Sequence, residues 1–173
     1  MIIRNLIISN LSMVKYDFEN SVGFIVSVTA KAFQKALDAE LRKNVGVTLS
    51  QWRVISTLVL QPGLTQKEIA DKLGIEGATL VPVIDRMEKE GFLKRKPDSK
   101  DRRVNRIYLT PRADSLWNIM TESAFRIRKI STKDIPEDHI KNALDTLRKI
   151  SKNLATHFEL DTSLLTVQRK SKT

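Results

Sequence analysis

Apolar residues recur at helical spacing over most of this chain, and the longest stripes lie near its two ends. The first predicted helix runs from about Tyr16 to Asn44 and carries Ile25, Val28, Ala32, Phe33, Ala36, Leu37 and Leu41. Beyond Thr110-Pro111 a second stripe contains Ala113, Leu116, Trp117, Met120, Ala124 and Ile127. A last helix is predicted to begin near Pro136 and to carry Ile140, Leu144, Leu147, Leu154 and Phe158. Together these three helices carry more apolar residues than a small domain between them would need for its own core.

Between these stripes, caps and glycines predict three shorter helices. The first covers residues 51–60, with Thr48 or Ser50 as its cap and Trp52 as a core residue. Thr65, followed three residues later by Glu68, has the spacing of a capping box and starts the second helix. That helix ends at Gly74, and the third runs from Gly77 to Glu90 before Gly91.

A short hairpin rich in basic residues follows these helices. Phe92–Lys96 and Asn105–Leu109 alternate as strands do, and Pro97-Asp98-Ser99 forms a turn between them. The segment contains Lys94, Arg95, Lys96, Lys100, Arg102, Arg103 and Arg106, countered by Asp98 and Asp101 alone. Such a tip repels itself unless it meets an anion such as a phosphate backbone, although a solvated charged hairpin gives the same pattern. Asp101 is interpreted as a partner that holds an arginine, since no second carboxylate or nucleophile is spaced to work with it.

A helix, a turn, a second helix and a basic hairpin are the layout of a winged helix-turn-helix, a module that reads duplex DNA. The predicted fold class is mainly α with a small β-hairpin wing, namely a winged helix-turn-helix plus a helical dimerisation layer. The predicted parts are an N-terminal extension (1–15), a dimerisation helix (16–46), the DNA-binding domain (47–111), C-terminal dimerisation helices (112–160) and a flexible tail (161–173).

The predicted DNA contacts fall on three segments. The recognition helix contributes Gly77, Thr79, Leu80, Pro82, Val83 and Arg86; the preceding helix contributes Thr65 and Gln66; the wing contributes Lys96, Lys100, Asp101, Arg102, Arg103 and Arg106. Arg86 has an alternative interpretation as a surface salt bridge with Glu90 four residues on. Pro82 has no N–H to donate, and a kink or a short 3₁₀ start could aim this helix.

The residues predicted to form the dimer contact are Ile25, Phe33, Leu144, Leu147, Leu154 and Phe158. A coiled-coil enzyme subunit or a monomeric bundle would carry the same stripes, so periodicity alone does not decide the oligomeric state.

Composition narrows the functional class. The 173 residues are 41% hydrophobic and 29% charged, with a net charge of +10, which favours a polyanionic partner. The absence of cysteine excludes thiol chemistry and suits a cytoplasmic protein, and His139 and His157 lie far apart, so neither a metal nor a cofactor is predicted. No catalytic group is predicted.

The apolar N-terminus is too short to span a bilayer, so no membrane partner is predicted. Two interpretations of this segment remain: Met13 is an alternative start of the protein, or the first residues form an extra element at a subunit contact.

The chain resembles the MarR family of multiple-antibiotic-resistance-type regulators over residues 20 to 158, most closely from 49 to 110. The matching segments are Leu49-Ser50-Gln51-Trp52, Pro62 to Ala70, Leu73-Gly74-Ile75, Ala78-Thr79-Leu80, Ile84 to Glu88, Gly91-Phe92, Asp101-Arg102-Arg103 and Leu109-Thr110. The resemblance implies a homodimer that binds double-stranded DNA at pseudo-palindromic operators, usually as a repressor, and that a small aromatic or phenolic effector releases. It also implies that Arg103 enters the minor groove while Asp101 holds it.

Relatives often have a basic or polar residue where this chain has Pro82, so the resemblance does not carry an operator sequence over. Two other functions fit the same charge. A nonspecific or architectural DNA-binding protein would bind all sequences alike, and a protein-interaction winged helix would bind an acidic protein instead of DNA.

Overall fold

The computed structural model describes residues Asp17–Leu160, and the predictions for residues 1–15, Met13 and the tail 161–173 lie outside this range. In chain order the elements are α1 (Val22–Val45), α2 (Leu49–Leu60), β1 (Leu64–Thr65), α3 (Gln66–Leu73), α4 (Gly77–Lys89), β2 (Leu93–Pro97), β3 (Asn105–Leu109), α5 (Pro111–Ser131) and α6 (Glu137–Phe158). The predicted fold class, mainly α with a small β wing, is confirmed. The chain forms two compact units, and the boundary between them lies inside α1, between Lys35 and Ala36. The second unit contains all the other elements.

Two of the helices begin at complete capping boxes. The Thr48 hydroxyl accepts the Gln51 backbone N–H at 3.2 Å while the Gln51 side chain accepts the Thr48 N–H at 2.8 Å, so Thr48 rather than Ser50 caps α2. Thr65 and Glu68 repeat this arrangement at the start of α3, with distances of 3.2 and 2.7 Å, as the spacing predicted. Each cap satisfies backbone donors that would otherwise have no partner, and such caps contribute about 1 kcal/mol.

Helix α4 follows α3 after a short turn and is α-helical from Gly77 onward. Gly74, in the left-handed conformation, ends α3, and Gly91 follows α4, so both predicted stops are confirmed. Pro82 lies inside α4, which continues as α-helix through it. One hydrogen bond of the 3₁₀ type, from the Thr79 N–H to the Glu76 carbonyl at 3.0 Å, lies at the start of the helix. Glu76 precedes the helix without a side-chain capping hydrogen bond.

The sheet has three antiparallel strands in the order β1-β3-β2. The predicted hairpin is present, with its first strand shifted by one residue to Leu93–Pro97. Strand β1 was not predicted, because two residues are too few to show an alternation. It forms where Leu64 pairs with Ile107, next to the bond from the Gly63 N–H to the Ile107 carbonyl at 3.1 Å.

One apolar core fixes these elements to one another. Its buried members include Val54, Ile55 and Leu58 of α2, Ile69 of α3, Leu80, Ile84 and Met87 of α4, Ile107 of β3 and Met120 of α5. Trp52 packs against this core and stacks on Trp117 of α5, with ring centroids 5.2 Å apart, in keeping with its predicted role as a core residue. The core thus holds α3, α4 and the sheet as one body.

Candidate nucleic-acid interface

Helix α4 has one face in the core and one face toward solvent. Leu80 is only 1% exposed and shares the buried face with Ile84 and Met87. The prediction that Leu80 contacts DNA is therefore wrong, because its side chain is covered by the protein's own core. Val83 is half-buried and packs against the same core, which leaves little of it for a ligand.

The solvent face of α4 begins at its N-terminal end, where a recognition helix meets base edges. Of the predicted contacts, Gly77, Thr79, Pro82 and Arg86 are exposed there. Val81 is also exposed, at 41%, and was not among the predicted contacts. The spacing of Leu80, Ile84 and Met87 could have revealed it, since Val81 lies about 100° around the helix from Leu80 and outside the stripe that these three residues form.

The two predicted contacts on α3 lie at its first turn. Thr65 and Gln66 are both half-buried. The Thr65 hydroxyl accepts the Glu68 N–H as the helix cap, so its oxygen already has a structural partner. The Thr65 backbone N–H, followed by its side-chain hydroxyl, hydrogen-bonds to the Glu68 carboxylate and lowers its pKa, so the hydroxyl proton is also engaged within the protein.

Arg95 of β2 joins the wing to the recognition helix. One terminal nitrogen lies 2.6 Å from a carboxylate oxygen of Asp85, and the other donates to Glu88. The Arg95 backbone N–H also donates to Glu88 at 3.1 Å. These contacts, called the Arg95 bridge below, engage two carboxylates of α4 and fix β2 beside it.

Asp98 organises the base of the wing turn. Its carboxylate is nearly buried and accepts the backbone N–H groups of Lys100 at 2.7 Å and Asp101 at 3.2 Å. Its other oxygen accepts from Arg106, and that hydrogen bond, with the two backbone donors, lowers the pKa of Asp98 from 3.8 to about 2. Asp98 is therefore a structural anion of the wing.

Arg106 was predicted to contact DNA, but its guanidinium donates inward. One nitrogen donates to Asp98 and another to the Gly63 carbonyl at 2.8 Å, across the sheet. The side chain is still 39% exposed, so it adds positive charge to the surface. Its principal role in this geometry is to tie the wing to the start of β1.

Asp101 and Arg103 form the pair that the family resemblance implied. Two guanidinium nitrogens of Arg103 each lie 3.0 Å from an oxygen of Asp101, and the Arg103 backbone N–H donates to the same carboxylate at 3.0 Å. The hydrogen bond from the Arg103 side chain, followed by that from its backbone, lowers the pKa of Asp101. The Arg103 side chain is nevertheless 91% exposed, so Asp101 orients the guanidinium without covering it.

The wing carries four further exposed cations. Lys94, Lys96, Lys100 and Arg102 are exposed, and no ion pair involves them among residues 17–160. The Lys96 ammonium lies 5.4 Å from the centre of the Tyr108 ring. The wing therefore presents a positive surface that its own carboxylates do not neutralise.

The residues predicted for a dimer contact are exposed. In the unit that ends at Lys35, Ile25 is 51% and Phe33 is 43% exposed. In the unit that starts at Ala36, Leu144, Leu147, Leu154 and Phe158 are between 40% and 62% exposed.

No helix in the described range is long and apolar enough to cross a membrane. In the same range no group of three or more histidine or acidic side chains could hold a metal ion.

Comparison with known proteins places this arrangement in a family. The MarR family model matches residues 47–104. The transcriptional regulator PA3341 is 30% identical, with a TM-score of 0.69 and alignment over 79% of this chain and 99% of that one. A MarR transcriptional regulator from Methanosarcina mazei Go1 is 22% identical, with a TM-score of 0.70 over 78% and 96% of the two chains.

The transcriptional repressor CouR, bound to a 23-mer DNA duplex, is similar too. It is 23% identical, with a TM-score of 0.70 over 81% of this chain and 99% of that one. CouR from Rhodococcus jostii RHA1 has also been solved with p-coumaroyl-CoA. The winged fold, the match over the module and the 30% identical regulator agree, and the chain belongs to the MarR family, whose members are transcription regulators and not enzymes.

Proposed function

We propose that this protein is a sequence-specific DNA-binding regulator that acts as a homodimer on pseudo-palindromic operators. One observation carries the proposal: the Arg95 bridge fixes a basic wing beside the exposed face of α4. A groove-reading helix and a phosphate-facing arm are thereby presented as one body. Neither element alone distinguishes DNA from another polyanion, whereas the pair fits a major groove and its flanking minor groove.

In this proposal α4 enters the major groove, and the side chains of Thr79, Pro82 and Arg86 face the base edges. Pro82 supplies an apolar contact and no hydrogen bond, so sequence readout depends on Thr79, Arg86 and the shape of the groove. Arg103, oriented by Asp101, enters the minor groove, where the negative potential of the DNA attracts arginine. Lys96, Lys100 and Arg102 contact phosphates.

A homodimer is supported by the apolar residues that each unit exposes, especially Leu144, Leu147, Leu154 and Phe158 on α6. Several large apolar side chains along one helix are typical of a surface that a partner covers. Two-fold symmetry then places two winged modules on half-sites about one helical turn apart, on one face of the duplex.

We further propose that the protein represses transcription in the cytoplasm and that a small aromatic or phenolic effector releases it. The support is that the similar protein CouR is described as a repressor and has been solved with p-coumaroyl-CoA. An effector acts by favouring one arrangement of the two modules, which requires different affinities for the two arrangements. A panel of phenolic compounds that leaves operator affinity unchanged would contradict the effector part.

Footprinting on the DNA upstream of the protein's own gene tests the main proposal. Salt should be near physiological and a scrambled duplex should compete. We expect a protected site with two-fold symmetry that the competitor does not abolish. Diffuse protection that vanishes with competitor would instead show a nonspecific DNA-binding protein, and absence of protection would contradict DNA binding altogether.

A further inference from the structure

We propose that Glu90 is a positioning residue for Arg86 and that Gln51 sets the orientation of Glu90. Both oxygens of the Glu90 carboxylate are used: one accepts from the Arg86 Nε at 2.8 Å, the other from the Gln51 side-chain amide at 2.6 Å. Arg86 thus connects through Glu90 to a residue of α2. The inference rests on the proposed function, because Arg86 is one of the side chains proposed to contact DNA.

Gln51 is a fixed starting point for this connection. Its side chain is almost completely buried, and its amide oxygen accepts the Thr48 backbone N–H at 2.8 Å as part of the α2 capping box. A backbone N–H can only donate, so the oxygen of the Gln51 amide must face Thr48 and the nitrogen must face Glu90. The capping box therefore determines which group of Gln51 meets the carboxylate.

The contact leaves the outer end of Arg86 available. Glu90 engages the inner nitrogen, Nε, and the two terminal nitrogens have no hydrogen-bond partner within the described range. The Arg86 side chain is 69% exposed, whereas that of Glu90 is 31% exposed. Arg95 differs, since carboxylates engage both of its terminal nitrogens. Glu90 therefore fixes the Nε end of the Arg86 guanidinium and leaves the two terminal nitrogens free to contact DNA.

An ordinary surface salt bridge does not account for this geometry. An exposed pair four residues apart on one helix leaves both side chains free to change rotamer and is weak for that reason. Here the buried amide of another helix, 39 residues away in sequence, holds the carboxylate. Restricting Arg86 in advance lowers the entropy that it loses when it meets a phosphate or a base edge.

Glu90→Gln separates the two contacts of the carboxylate. The new amide at position 90 would have one acceptor oxygen facing two donors, Gln51 and Arg86, and Gln51 cannot turn over without losing the Thr48 cap. Arg86 or Gln51 must then lose its partner. Because the change also removes a negative charge near DNA, simple electrostatics predicts tighter binding. We expect instead that affinity for the footprinted operator falls roughly fivefold to tenfold, about 1 kcal/mol by the affinity relation.

The exchange variant, which combines Gln51→Glu with Glu90→Gln, should restore binding. The new carboxylate at position 51 would accept from the Thr48 N–H and from the new amide nitrogen at position 90. The oxygen of that amide would accept from Arg86, so every hydrogen bond returns with the same net charge. The matched control is Glu122→Gln, the same chemical change at an exposed position of α5 without an ion pair in the described range, and it should bind as the wild type does.

Fluorescence anisotropy with the operator, repeated in an Arg86→Ala background, decides the matter. We expect Arg86→Ala to weaken binding about tenfold and Glu90→Gln to add nothing to it. An equal loss in both backgrounds, no loss from Glu90→Gln alone, or no recovery in the exchange variant would overturn the proposal. Urea unfolding of every variant identifies losses due to stability, and a wild type that does not bind the operator would refute the proposed function instead.

Discussion

Asp98 shows how a single carboxylate organises the turn of the wing. It collects two backbone N–H groups and the Arg106 guanidinium, and these donors lower its pKa from 3.8 to about 2. A carboxyl group whose pKa is lowered by folding stabilises the native state fully above its unfolded pKa. That stabilisation is lost as the pH falls through the native value.

We therefore expect Asp98→Asn to destabilise the protein at pH 6, and the difference from wild type to shrink between pH 4 and pH 2. Urea unfolding across this range measures it. Asp71→Asn removes the same charge at an exposed position without an ion pair in the described range, and serves as the control. A wild type and an Asp98→Asn variant that stay equally far apart down to pH 2 would contradict the assignment.

Gly63 lies where the wing meets β1, and its backbone excludes a side chain. Its φ is +77°, and an added Cβ would lie 3.0 Å from the Tyr108 hydroxyl and 3.2 Å from two ring carbons. Its carbonyl also accepts from Arg106 at 2.8 Å. The residue thus combines a left-handed turn with a close ring contact and a hydrogen bond that holds the sheet together.

Gly63→Ala should lower the free energy of unfolding by about 1–2 kcal/mol, and Tm by roughly 2–6 °C, because of backbone strain and the ring contact. Gly77→Ala is the matched control, since Gly77 starts α4 with open space around it and no positive φ. Thermal unfolding compares the two. A Gly63→Ala variant as stable as Gly77→Ala would show that the Tyr108 ring moves aside without cost.

At the scale of elements, the Arg95 bridge makes α4 and the wing one unit. Arg95→Ala should weaken operator binding by about 5- to 30-fold (about 1–2 kcal/mol), because the wing loses its fixed position and Asp85 and Glu88 lose their cationic partner. Lys94→Ala removes the same charge from an exposed side chain of β2 without an ion pair in the described range.

Anisotropy titrations of both variants over a range of salt concentrations separate charge from position. If only the lost charge matters, the two variants lose the same amount of affinity and show the same change in the salt dependence of binding. The Arg95 bridge predicts the larger loss for Arg95→Ala at every salt concentration. Equal losses for the two variants would mean that Arg95 acts through its charge alone.

The helices and the hairpin were predictable because their signals are local: capping boxes span three residues and the glycine stops are single positions. The pattern alone indicated that Asp101 holds an arginine, and the family resemblance identified that arginine as Arg103. The contacts of Arg106 with the Gly63 carbonyl and of Gln51 with Glu90 were not predictable, since these partners lie 43 and 39 residues away in sequence. The spacing that Leu80 shares with Ile84 and Met87 indicates a buried position, and this outranks its location near the start of α4.

At the scale of the whole molecule, the exposed apolar side chains of α6 bear on its assembly. Leu147 and Leu154 are 40% and 49% exposed in the single chain. An arginine at either position therefore costs the fold of one chain little. In a dimer the same charge would be buried without a partner, which costs several kcal/mol.

We expect Leu147→Arg and Leu154→Arg each to raise the dimer dissociation constant by roughly a thousandfold, about 4 kcal/mol. Sedimentation equilibrium measures it directly. Leu60→Arg is the control, since Leu60 is 68% exposed at the end of α2, outside the predicted contact. Monomeric variants should also bind the full operator far more weakly than the wild type, because each module then binds its half-site alone. Variants that remain dimeric with unchanged operator affinity would place the contact on another surface of the chain.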